Sequence, residues 1–92
     1  MVVLMNSQQI QKLRSDLGLS QPEFAQLFGA HSMTVSRWER GVATPTPYQL
    51  ALMQQFRVTA DTKKAEVDET VKNLLVGAGV VAALIWLLGA KK

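Results

Sequence analysis

The chain has 92 residues, of which 48% are hydrophobic and 18% charged, and its formal net charge is +3. That length holds one small domain and an appendage and excludes a multidomain enzyme. With no cysteine and one histidine, His31, the chain lacks a thiolate nucleophile, a disulfide framework and a Cys/His zinc site, so binding is expected here rather than catalysis, with no cofactor and no metal. The mild basicity suits nucleic acid or anionic lipid and does not choose between them.

Composition divides the chain in three. Residues 1–58 mix polar and apolar side chains at helical spacing, residues 59–72 are dense in charge, and residues 73–92 contain 17 uncharged residues from Leu74 to Ala90, closed by Lys91 and Lys92. No Pro/Gly/Ser-rich linker or repeat separates them, and the apolar lead from Met1 to Met5 has no basic flank of the signal-peptide kind.

In chain order, Asn6 and Ser7 are N-cap residues for a helix over 7–17, where Ile10, Leu13, Arg14 and Leu17 fall at i, i+3, i+4 and i+7 before Gly18. Ser20 stands three residues before Glu23 with Pro22 between them, a capping box that opens a second helix over 21–28. Phe24, Ala25, Leu27 and Phe28 give that helix an apolar face, and Gly29 stops it. A third helix over 32–40 carries Val35 and Trp38 one turn apart and ends at Gly41. Thr46 and Pro47 then open a fourth, with Leu50, Leu52, Met53 and Phe56 as its apolar positions. No strand pattern competes, so the fold is expected to be all-α. Two short helices joined across a Gly-containing turn are the helix-turn-helix signature.

The run from Leu19 to Gly29, followed by Thr34 to Gly41 and then Pro45, closely resembles the Xre family, the Cro and phage-repressor type of helix-turn-helix. Within it, Phe28-Gly29 and Ser36 to Gly41 resemble antitoxins of the MqsA and HigA kind. The resemblance covers about residues 7–56 and implies a four- to five-helix DNA-binding domain. Its recognition helix, residues 32–40 here, would place Ser32, Met33, Ser36 and Arg37 at base edges. Helical spacing is consistent with this, because 32, 33, 36, 37 and 40 share one side while Val35 and Trp38 share the other. An Arg on that open side can fork onto guanine O6 and N7. Met33 has two readings, a core side chain or an apolar contact with a thymine methyl. By resemblance, Gln21 contacts phosphate and buttresses the recognition helix, Arg40 clamps phosphate, and Thr34 touches the DNA backbone or merely fills the helix. Arg14 and Glu39 match a family ion pair that fixes register. His31 is read as a cap or phosphate-side donor, and Trp38 as a core aromatic.

Nothing after Ala60 breaks a helix until Gly77, so one long C-terminal helix is expected, its charged first half a stalk. Its 17 uncharged residues would extend roughly 25 Å against a hydrocarbon layer of about 30 Å. Lys72, Lys91 and Lys92 would snorkel, and Trp86 would sit at an interface. Gly79 and Ala83 form a small-residue ridge for helix association. The expected protein is therefore a sequence-specific double-stranded DNA-binding regulator, dimeric, with a cytoplasmic head anchored at the inner membrane. The alternative is a soluble oligomeric antitoxin-like or scaffold adaptor that buries the same helix between protomers and binds a toxin or other protein.

Overall fold

In the computed structural model, which describes residues 5–63 and 66–89, the chain forms α1 (Ser7–Asp16), α2 (Gln21–Gln26), α3 (Ser32–Glu39), α4 (Pro47–Thr62), α5 (Val67–Gly77) and α6 (Val80–Leu87). No strand occurs among the described residues. Three helix starts carry reciprocal capping boxes: Asn6 with Gln9, Ser20 with Glu23, and Thr46 with Gln49. In each, a side-chain oxygen accepts from the third helical amide while the third side chain accepts from the cap's own amide. Two orphan donors are thereby satisfied at each start, which sets where α1, α2 and α4 begin.

The core is the set of apolar positions that the helical period selects. Ile10, Leu13 and Leu17 enter it from α1 and its C-cap, Phe24 from α2, Val35 and Trp38 from α3, and Met53 and Phe56 from α4. Phe28 sits among the aromatic rings, with centroids 4.9 Å from Phe24, 5.5 Å from Phe56 and 5.7 Å from Trp38. Each fully buried large side chain contributes about 1.5–3 kcal/mol of transfer free energy. That burial holds α3 against α1 and α2.

The C-terminal part differs from expectation. The single long helix is three pieces: α4 runs on to Thr62 and through the expected boundary at 58, α5 begins at Val67, and a break at residues 78–79 separates α5 from α6. Gly79 adopts φ +105, a conformation open to glycine and strained for other residues, and the amides of Ala78 and Gly79 both bond the Leu74 carbonyl at 2.8 Å. The chain turns there, and α6 packs against α5. No helix among the described residues is long and apolar enough to cross a membrane, and the expected span is corrected to the end of α5, a turn and α6. Lys91 and Lys92, expected to flank it, lie outside the described residues.

Val67, Val71 and Leu75 of α5 and Ala83 and Leu87 of α6 instead join the domain's core. Ala83 is fully buried, so the Gly79–Ala83 ridge expected to mediate association is spent inside the molecule. Trp86 is half-buried, with the Lys63 ammonium 5.5 Å from its ring centroid. What makes this possible is the extra length of α4, whose Thr59 and Ala60 are buried. The Thr59 hydroxyl donates to the Leu87 carbonyl and so satisfies a polar atom at the end of α6.

The charged segment is correspondingly no stalk. Lys72 reaches Glu23 at 2.8 Å, tying α5 to α2. Arg57 bridges Asp16 and Asp61, each at 2.8 Å, and Lys12 adds a second contact to Asp16 at 3.1 Å. Burial alone would raise the Asp16 pKa, but hydrogen bonds from Arg57 and Lys12 outweigh it and hold it below the usual value. Gly18, at φ +72, lies where α5 passes: a Cβ there would stand 2.8 Å from the Asp68 Cβ.

Candidate nucleic-acid interface

Helix α3 has one face in the core and one in water. Val35 and Trp38 are buried, Ser32, Met33, Arg37 and Arg40 are exposed, and Thr34 and Ser36 are half-buried. Met33 is 60% exposed, which removes the core reading of that residue and leaves its thioether on the open side. The exposed residues form two rungs spaced one helical turn apart. Arg37 Nη2 lies 3.4 Å from Met33 Sδ, and Arg40 Nε donates to Ser36 Oγ at 3.2 Å. Both guanidinium groups are thus laid along the same open surface. Glu39, the carboxylate of α3, is turned away into an ion pair, so the exposed side of the helix carries cations alone.

His31 occupies the N-cap of α3 with extended backbone, φ −100 and ψ 157, and its side chain makes no cap hydrogen bond. The expected capping role is corrected: the imidazole is exposed, and α3 begins without the side-chain box that opens α1, α2 and α4. A helix start of this kind presents amides and the positive end of the helix dipole.

The orientation of α3 is fixed by a polar knot beneath it. Arg14 from α1 grips both carboxylate oxygens of Glu39, through Nε and through Nη2 at 3.1 Å, and its Nη1 donates to the Leu19 carbonyl at 3.0 Å. Gln21 Nε2, at the start of α2, donates to Glu39 Oε1 at 3.1 Å. The side chains of Arg14 and Glu39 are 18% and 6% exposed, so α1, α2 and the end of α3 meet at one desolvated anion. Fork-on-fork pairing of this type specifies an angle as well as a contact. Gln21 therefore buttresses α3, and its amide nitrogen points inward.

Three contributors were missed by the sequence reading. Gln9 and Gln49 complete capping boxes that depend on which residue is the N-cap, and Lys72 reaches Glu23 from a separate helix. The Lys72 ammonium, with the Ser20 amide, holds the Glu23 carboxyl below the usual glutamate range. Among the described residues no cluster of His, Asp and Glu side chains is arranged to hold a metal ion.

A right-sized fold with a locked inner face and a cationic outer face on its third helix is the architecture of a helix-turn-helix domain. The family model described as helix-turn-helix matches residues 10–56, from the first core residue of α1 into α4. The match spans just over half of the chain, and the protein belongs to this family, of the Xre type. It is a match to the family as a whole and distinguishes no branch within it. No curated protein and no solved structure matches the chain.

Proposed function

We propose that the protein is a sequence-specific double-stranded DNA-binding regulator of transcription that reads the major groove with α3. The observation that carries this is the open side of α3, where Arg37 and Arg40 lie one rung apart over a helix whose other side is locked into the core. In this reading Arg37 forks onto guanine, and Ser32, Met33 and Ser36 contact neighbouring base edges, Met33 through a thymine methyl. Arg40 and Thr34 hold the phosphate backbone and set register, while Gln21 supports α3 from beneath through Glu39. The buried Arg14–Glu39 pair keeps α3 at its docking angle.

The test is a selection from random duplexes followed by titration of the best sequence against a scrambled one. Binding weakens with salt as counterions are released. Arg37→Ala is expected to cost about 1–3 kcal/mol on the selected sequence and little on the scrambled one, whereas Arg40→Ala lowers both alike. Equal losses for Arg37→Ala on both would reduce it to a phosphate contact. A folded protein that selects no sequence at all would favour the protein-binding adaptor instead.

A further inference from the structure

Among the exposed residues of α3 only Met33 is apolar, and its sulfur has a partner. Arg37, one helical turn on, donates from Nη2 to Met33 Sδ at 3.4 Å. The other methionines of the described residues are covered. Met53 is fully buried in α4 and Met5 is half-buried against the core, whereas Met33 is 60% exposed. A thioether is a weak hydrogen-bond acceptor and a soft, polarizable group open to oxidation. With one of its two lone pairs toward the guanidinium, the sulfur keeps the other for reaction from the water side.

We propose that Met33 is a reversible oxidation site through which hydrogen peroxide weakens DNA binding, an inference that rests on the reading of α3 as the recognition helix. A sulfur lone pair attacks one peroxide oxygen, and the S–O bond forms as the O–O bond breaks. The proton of the transferred oxygen passes to the departing hydroxide, which leaves as water. Sulfur gives up two electrons and the peroxide gains them, so the products are the sulfoxide and water. The new oxygen is a far better acceptor than the sulfur it sits on. A charge-assisted hydrogen bond from Arg37 then replaces the weak N–H···S contact and holds the guanidinium along the helix, away from guanine O6 and N7. The same oxygen puts a polar group where a thymine methyl would have met an apolar one, and docking would strip its water. Both effects oppose binding. Neither reaches the fold, because the Arg14–Glu39 pair and the core side of α3 lie on the opposite face of the helix.

The full chain is treated with hydrogen peroxide and the sulfoxides are located by mass spectrometry of its peptides over time. Met33 is expected to oxidise ahead of Met5 and Met53. Affinity for the duplex selected by the untreated protein should then fall by about tenfold or more, the size of one desolvated polar group left without a partner. Helical circular dichroism should not change, and sulfoxide reductases of both stereospecificities should restore the affinity. Without DNA, the Arg37 side-chain resonance should move on oxidation and return on reduction. Met33→Leu, compared with its own untreated form, should lose nothing on treatment. Oxidation of Met5 or Met53 before Met33 overturns the proposal, as does oxidised protein that binds like reduced protein. A treated Met33→Leu that loses as much as the wild type, or an Arg37 resonance that stays in place, overturns it as well. Untreated protein that selects no duplex fails the DNA-binding reading itself, before any oxidant is added, and the switch falls with it.

Discussion

Replacing Thr59 by Val removes one hydroxyl from the joint between α4 and α6 and leaves the shape of the side chain almost unchanged. Thr59 is 5% exposed and its hydroxyl donates to the Leu87 carbonyl, one of the last carbonyls of α6 and so without a partner in its own helix. Val is β-branched like Thr and has a similar helix propensity, so neither a cavity nor a helix penalty enters. A lost hydrogen bond that leaves a buried acceptor unsatisfied costs about 1–3 kcal/mol, and burying a methyl in place of the hydroxyl returns less than about 1 kcal/mol. The expected net loss is about 1–2 kcal/mol. At roughly 4–8 °C per kcal/mol for a domain of this size, the melting midpoint should fall by about 4–15 °C. Thermal melts followed by circular dichroism measure this, and amide exchange should show the loss concentrated in α6. If α6 were not docked, Thr59 would face water and the change would lie within about 0.5 kcal/mol of neutral. A Thr59→Val protein as stable as the wild type would therefore refute the packing of the tail on α4.

Gly18→Ala forces a side chain into φ +72 and into the path of Asp68, so urea denaturation should show a loss of about 2 kcal/mol or more; an unchanged midpoint would mean α5 does not pass there. Glu39→Gln leaves Arg14 half-buried without a charged partner, with an expected loss of about 2–3 kcal/mol by the same assay, and a neutral outcome would show the knot to be dispensable. Glu23 has a depressed pKa through Lys72 and the Ser20 amide, so its folded form holds a proton less tightly than its unfolded form. Its stabilisation is complete above the unfolded pKa of about 4.3 and is lost as pH falls through the lower folded value. Wild-type melting midpoints should accordingly drop more steeply than those of Glu23→Gln below that pH, and parallel curves would exclude the linkage.

The helix-turn-helix half was legible because its signals are local. Ser20 with Glu23, Pro22 and Pro47, and Thr46 each act within one helical turn, and the starts they mark are the starts observed. Val35 and Trp38 one turn apart were enough to orient α3, and the Arg14–Glu39 pair, carried by resemblance, is formed. Roles of individual residues at bases and phosphates rest on that resemblance and on exposure alone. The tail was misread because an all-apolar segment has no period: nothing in Leu74 to Ala90 tells which side is buried or whether lipid or protein covers it. Counting uncharged residues also treats Gly79 as neutral, when its left-handed backbone ends the helix that the count requires. The receiving surface was equally silent, since Thr59 and Ala60 read as the polar end of one helix and the start of another.

One oxygen atom links the tail to the turn of the DNA-binding unit. Glu23 Oε1 accepts from the Ser20 amide at 2.9 Å and from the Lys72 ammonium at 2.8 Å. The Ser20 amide proton is thus a built-in spectroscopic reporter: its chemical shift and its exchange with solvent respond when α5 lifts, although it belongs to the N-cap of α2. Anything that binds or displaces α5 is felt, through that shared acceptor, at the start of the helix that supports α3.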